Sequence, residues 1–112
     1  MTLNARIEST LASIGCPVAF QTFPESVFTT FPRISYFCIN EQVVYSADDA
    51  PAAVEYAVQV DVWHNTDYAS LVSQVQAAMS AAGFGRGSGG DIYDPDSRIY
   101  HKPLRFYYTE VL

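Results

Sequence analysis

The residues best suited to chemistry are His64 and His101, with Asp61 and Asp67 close to the first of them. Imidazole and carboxylate are the groups of an acid–base pair or a metal site. Neither histidine sits in a local ligand motif, and the two fall on separate predicted strands. Strand-end polar residues are the expectation, since motif residues act only in the right structural context. Asp91, Asp94 and Asp96 offer three carboxylates, the hard oxygen ligands that calcium takes. Their spacing is not that of an EF-hand loop, so a solvated acidic turn is expected. Asp–Arg contacts with Arg98, Lys102 and Arg105 are expected inside this hairpin or across a subunit boundary.

Gly85-Arg-Gly-Ser-Gly-Gly90 satisfies G-x-G-x-x-G in form. That motif binds pyrophosphate where a strand turns into a helix N-terminus. Here it follows a helix and leads toward a strand. A flexible connector is expected, or a loop ordered by assembly that offers Arg86 to an acidic neighbour. Cys16 and Cys38 lie beside apolar residues and read as buried free thiols. They make no catalytic set with His64, because a buried thiol is not activated. Ser88 lacks a nucleophile-elbow setting. No catalytic residue, cofactor or metal ligand is therefore assigned.

The elements that would position these residues can be read from periodicity. Leu3, Ile7, Leu11 and Ile14 recur at helical spacing, with Gly15 as C-cap and Pro17 beyond it. Val18 to Phe23 reads as a short strand. Arg33 to Asn40 alternates, Asn40-Glu41 reads as a turn, and Gln42 to Ser46 as the return strand. Ala47 to Ala53 reads as a solvated loop. Val54, Tyr56, Val58, Val60 and Val62 then alternate with Glu55, Gln59, Asp61 and Trp63, a half-buried strand running to His64. Tyr68 to Ala82 follows as an amphipathic helix, with Asn65 or Thr66 as N-cap and Gly83 as terminator. Asp94-Pro-Asp-Ser97 is a turn, and Arg98 to Tyr108 a last strand in which Pro103 marks an edge or a bulge. Residues 1–112 thus read as one α+β domain, with a largely antiparallel sheet and two helices packed on one face.

Charged residues are 16% of the chain, against about 25% in typical soluble domains. Tyrosine and phenylalanine are plentiful. Aromatic enrichment with charge depletion is typical of interface cores. The second helix carries Ser70, Ser73, Gln74, Gln76 and Ser80 on its wet side, and no charge at all. That face, with Trp63 and Arg86, is the expected subunit or partner interface. The net charge of −6 argues against adhesion to nucleic acid or to an anionic membrane. It is compatible with DNA passing through an acidic lumen. Met1 to Ile14 contains Arg6 and Glu8, so no signal peptide is expected, and the protein is expected to be cytosolic when made.

Val58-Gln-Val-Asp-Val-Trp-His64 resembles the Q-V-D-x-W strand of the tail-completion proteins of long-tailed bacteriophages, also called tail terminators or tail-to-head joining proteins. The helix after a short polar turn, the segments Asp91–Tyr100 and Leu104–Tyr108, and the P-x-I-x-Y strand at Pro32–Tyr36 resemble the same family in the same order. Val18–Thr30 and Gly83–Gly90 lie outside the resemblance. The resemblance implies a virion structural protein of the neck. It implies a ring, usually hexameric, that ends tail-tube polymerisation and meets the head connector, with DNA passing through. It brings no catalytic residues. Two other readings stand beside it: a head-side connector or stopper of the same neck, and a small α+β ligand-binding or enzymatic domain in which His64, His101 and the aspartates converge on a pocket.

Overall fold

A computed structural model describes all 112 residues. Helix α1 (Leu3–Leu11) starts where Thr2 Oγ1 accepts from Ala5 N, and it tightens into a 3-10 turn over Ala12–Ile14 before Gly15. Strand β1 (Val18–Phe20) is short. Strands β2 (Arg33–Tyr45) and β3 (Pro51–His64) are long, helix α2 spans Ala69–Ala81, and β4 (Gly85–Gly89), β5 (Ile92–Asp94) and β6 (Ile99–Val111) close the chain. The sheet runs β1-β2-β3-β6-β4, with β5 also on β6. Only the β1–β2 pairing is parallel. The α+β expectation holds. No helix is long and apolar enough to cross a membrane.

The period-two pattern of β3 is realised. Val58, Val60 and Val62 are fully buried beside Ile34 and Tyr36 of β2 and Leu104 and Phe106 of β6. Ile7 and Leu11 of α1 and Val72, Val75 and Met79 of α2 cover that face. Tyr36 reaches through the layer, and its hydroxyl donates to Glu8 Oε1 at 2.8 Å.

Several expectations are corrected. Asn40-Glu41 is not a turn: β2 continues to Tyr45, and a bulge between Cys38 and Asn40 absorbs the irregularity. The true turn is Ser46–Ala50, where Ser46 N and Oγ both donate to Ala50 O and Asp49 adopts φ 61°. The cap of α2 is neither Asn65 nor Thr66. The N-cap position is Tyr68, which makes no side-chain cap bond, and Asp67 Oδ1 just before it accepts from Ala69 N at 2.9 Å. Gly85–Gly89 is not a mobile connector but an edge strand on β6. Gly87 and Gly89 have a steric reason. A Cβ on Gly87 would lie 2.7 Å from the Tyr107 ring and 3.0 Å from Arg105 Cγ.

The end of α2 is as expected, but Pro103 is at neither an edge nor a bulge: β6 is an inner strand whose pairing with β3 runs unbroken through Asp61↔Pro103. Gly83 takes φ 95° and ends α2, with Phe84 N donating to Met79 O at 3.0 Å. Pro103 accepts from Gly90 N, so its backbone polar edge faces the junction of β4 and β5. The missing N–H of proline falls at that break in the ladder, where it costs least.

The core occupies only the middle of the sheet. Beyond it, the ends of β2, β3 and β6 run on as a three-stranded arm that no helix covers. The molecule is accordingly 54 Å long and 24 Å across.

Candidate functional site

The two histidines do not converge. In the ladder Trp63 stands opposite His101, and His64 opposite Tyr100, so the imidazoles lie on opposite faces of the sheet. His64 is engaged locally with Asn65. His101 Nε2 donates to Asp61 Oδ1 at 2.7 Å, and Gln59 Nε2 donates to the same oxygen at 2.9 Å. Asp61 is 5% exposed, and none of the concavities is lined by Asp61, His64 or His101. This is a satisfied structural network on the face opposite the helices. The convergent pocket that an enzymatic or ligand-binding reading requires is not formed by these residues.

Trp63 belongs to that network. Its ring stacks on His101 at 3.8 Å between centroids and 7° between planes, and its Nε1 donates to Ser35 Oγ at 3.0 Å. Next to it, Arg33 lies over the rings of Phe23 and Phe31 and donates to the carbonyls of Val27 and Phe28. The loop before β2 is thereby held against the sheet.

The aspartates of the last hairpin do not gather round a cation either. Asp91 accepts from the Tyr68 hydroxyl and from Lys102 Nζ at 3.0 Å. The hydrogen bond from Tyr68, then Lys102, holds the Asp91 carboxyl below its ordinary value. Burial, and then the bond to Asp91, pushes the Tyr68 phenol up to about 12. Asp94 serves its own turn: Oδ1 accepts from Asp96 N, Oδ2 from Ser97 Oγ, and its carboxyl is lowered by those bonds. No group of three metal-ligating side chains exists in the chain. Cys16 and Cys38 are free and half-buried rather than buried, and burial pushes both thiols up. They are not primed nucleophiles.

Surfaces remain. Ser70, Ser73, Gln74 and Ser80 are exposed along α2, and Gln76 is half-buried at the flank of that stripe. Arg86 is exposed on β4 and makes no ion pair. Gln76 and Arg86 come together in a groove of about 220 Å3, bordered also by Gly87, Lys102 and Arg105. Trp63 is apart from them, because it lies on the other face of the sheet from α2.

Two surfaces went unmarked in the sequence. Tyr68, Tyr93 and Tyr100 form an aromatic cluster at one end of the molecule, with Ile92 exposed beside it. At the other end the arm exposes Val43, Val44, Tyr45 (61%) and Val111 (81%). The consecutive apolar residues Val43-Val44-Tyr45 were the available signal, since no single sheet face can bury all three. Contiguous exposed apolar surface of this kind marks an interaction site.

The fold has a solved counterpart. The chain is similar, with a TM-score of 0.64 and 15% identity, to a chain of the structure described as "Virion of native gene transfer agent (GTA) particle". The likeness covers 97% of this chain and 93% of that one, so the two share a fold over nearly their whole lengths. No family model matches the chain. No curated protein matches it.

Proposed function

We propose that this chain is a virion structural protein of a phage-type neck. It forms a ring, of six copies by the family resemblance, at the head-proximal end of the tail tube. The ring ends tube polymerisation and presents a surface to the head connector, and DNA passes through it without sequence-specific contact. The observation that carries the reading is the end-to-end fold similarity to a chain from a gene transfer agent virion. The order of motifs along β2, β3, α2 and β6 supports the finer assignment to a tail-completion role.

The surface chemistry supports it too. A cyclic ring needs two different, complementary patches on each subunit. The uncharged stripe of α2, the aromatic end and the bare arm are candidates for those patches. The excess of carboxylates suits a lumen that lets a polyanion slide.

Cryo-EM of the particle tests the assignment. The expected result is a ring of this chain between the first tube ring and the connector. A ring on the head side of that junction would instead establish the connector or stopper reading. A chain absent from virions, and monomeric with or without purified tails, would sink both.

A further inference from the structure

The arm and the glycine-rich strand are two uncovered parts of one sheet, and their charges are opposite. The arm comprises Asn40–Tyr45, the turn to Ala50, Pro51–Ala57 and Tyr107–Leu112. It holds Glu41, Asp48, Asp49, Glu55 and Glu110 and not one Lys or Arg. On its helix side, Glu41 and Glu110 border an open cleft of about 810 Å3 with Phe20, Gln21 and Tyr56. Tyr56 hydroxyl lies 3.5 Å from Glu110 Oε2, and neither Glu41 nor Glu110 meets a cation.

The opposite edge is basic. β4 pairs with β6 alone, so its outer backbone groups are open. Arg86 projects from it without an ion pair, and Arg105 Nε beside it is buried without a hydrogen-bond partner. Glycine at 85, 87 and 89 leaves Arg86 and Ser88 as the only side chains on β4, so another chain can approach closely.

We infer that the β4 edge of one copy docks in the arm cleft of the next, with Arg86 entering between Glu41 and Glu110. This rests on the ring reading above and assigns its two patches. β4 and the arm portion of β2 lie on opposite sides of the sheet with β6 and β3 between them. At about 4.8 Å per strand Glu41 is about 14 Å across the sheet from β4, and Glu110 lies further along β6 than Phe106, the partner of Arg86; neither pairs with Arg86 within one copy. Two different patches on one subunit make a head-to-tail contact, the kind that closes rings. Opposite charge fixes which edge meets which. Val43 and Tyr45 on the arm supply apolar cover for the contact.

Charge reversal tests this. Arg86→Glu and Glu41→Arg should each weaken self-association about tenfold or more in sedimentation equilibrium, and the double variant should recover most of the loss. Both residues are exposed, so circular dichroism should show each variant folded. A second experiment reads the contact directly. Arg86→Lys keeps the charge and adds an amine. Carbodiimide treatment of mixed 14N and 15N protein should then link Lys at 86 to Glu41 or Glu110 between isotopically different copies. A ring that forms equally well in both single variants, or that carries no such link, would overturn the inference and leave the ring standing. A chain that stays monomeric at every concentration and on purified tails would overturn the ring and the contact together.

Discussion

Trp63 and His101 lie face to face on adjacent strands, 3.8 Å apart at the ring centres, on the sheet surface that carries no helix. The indole N–H is taken by Ser35, and the imidazole N–H by Asp61. Each ring is held both by stacking and by a directed bond. Trp63→Ala should lose about 2–3 kcal/mol in urea denaturation followed by circular dichroism, below a fully buried Trp because the site is half-exposed. Trp63→Phe should lose about 1 kcal/mol, the indole bond being removed while the stack survives. If Trp63 instead meets a partner, Trp63→Phe will impair assembly while stability is unchanged.

Helix α2 offers the converse case. Ser73→Glu and Gln76→Lys should change stability by no more than about 0.5 kcal/mol, since neither side chain is in the core. Both should reduce ring formation as measured by native mass spectrometry. Normal assembly in both variants would show that this face is simply solvated.

Glycine at 87 is required by contact rather than by backbone angle. Gly87→Ala should cost about 1–3 kcal/mol by overpacking, toward the low end because the Tyr107 ring it meets is half-exposed and can swing. Hydrogen exchange should locate the loss in β4. Unchanged protection there would mean that the strand shifts at no cost.

The Tyr68–Asp91 bond predicts a titration. The folded phenol stands at about 12, above the unfolded value near 10, so its stabilisation is complete below pH ~10 and lost as pH rises through about 12. The Asp91 carboxyl is lowered, so its contribution is present above its ordinary value and lost as pH falls through the folded one. Asp91→Asn should bring Tyr68 down toward an ordinary tyrosine, as read by NMR of ring-labelled protein. A Tyr68 curve that does not move would show that burial alone sets it.

Much of this was written in residue spacing. The alternation of Val54 to Val62 identified the central strand and its buried face, and Gly83 identified the end of α2. What escaped had physical reasons. A bulge and a turn share polar residues, so Asn40-Glu41 misled where only the pairing of β2 with β3 could decide. Glycines carry no alternating pattern, so β4 reads as a loop in sequence, although Tyr107 and Arg105 pack against Gly87. Asp61 stood on the polar side of its strand, and its burial depends on Gln59 and Trp63 from its own strand and on His101 across it. For the candidate interface, the α2 stripe and Arg86 were legible from missing charge and from a lone cation. The arm was not, because its protrusion depends on where the two helices stop.

The arm also changes how the protein must be weighed. A compact chain of 112 residues should have a radius of gyration of about 13 Å, and this one has 15.4 Å. Such a rod tumbles more slowly than a sphere of its mass and leaves a sizing column early. A lone subunit therefore elutes as a heavier globule than it is, and stoichiometry should be taken from light scattering or mass spectrometry, which do not depend on shape.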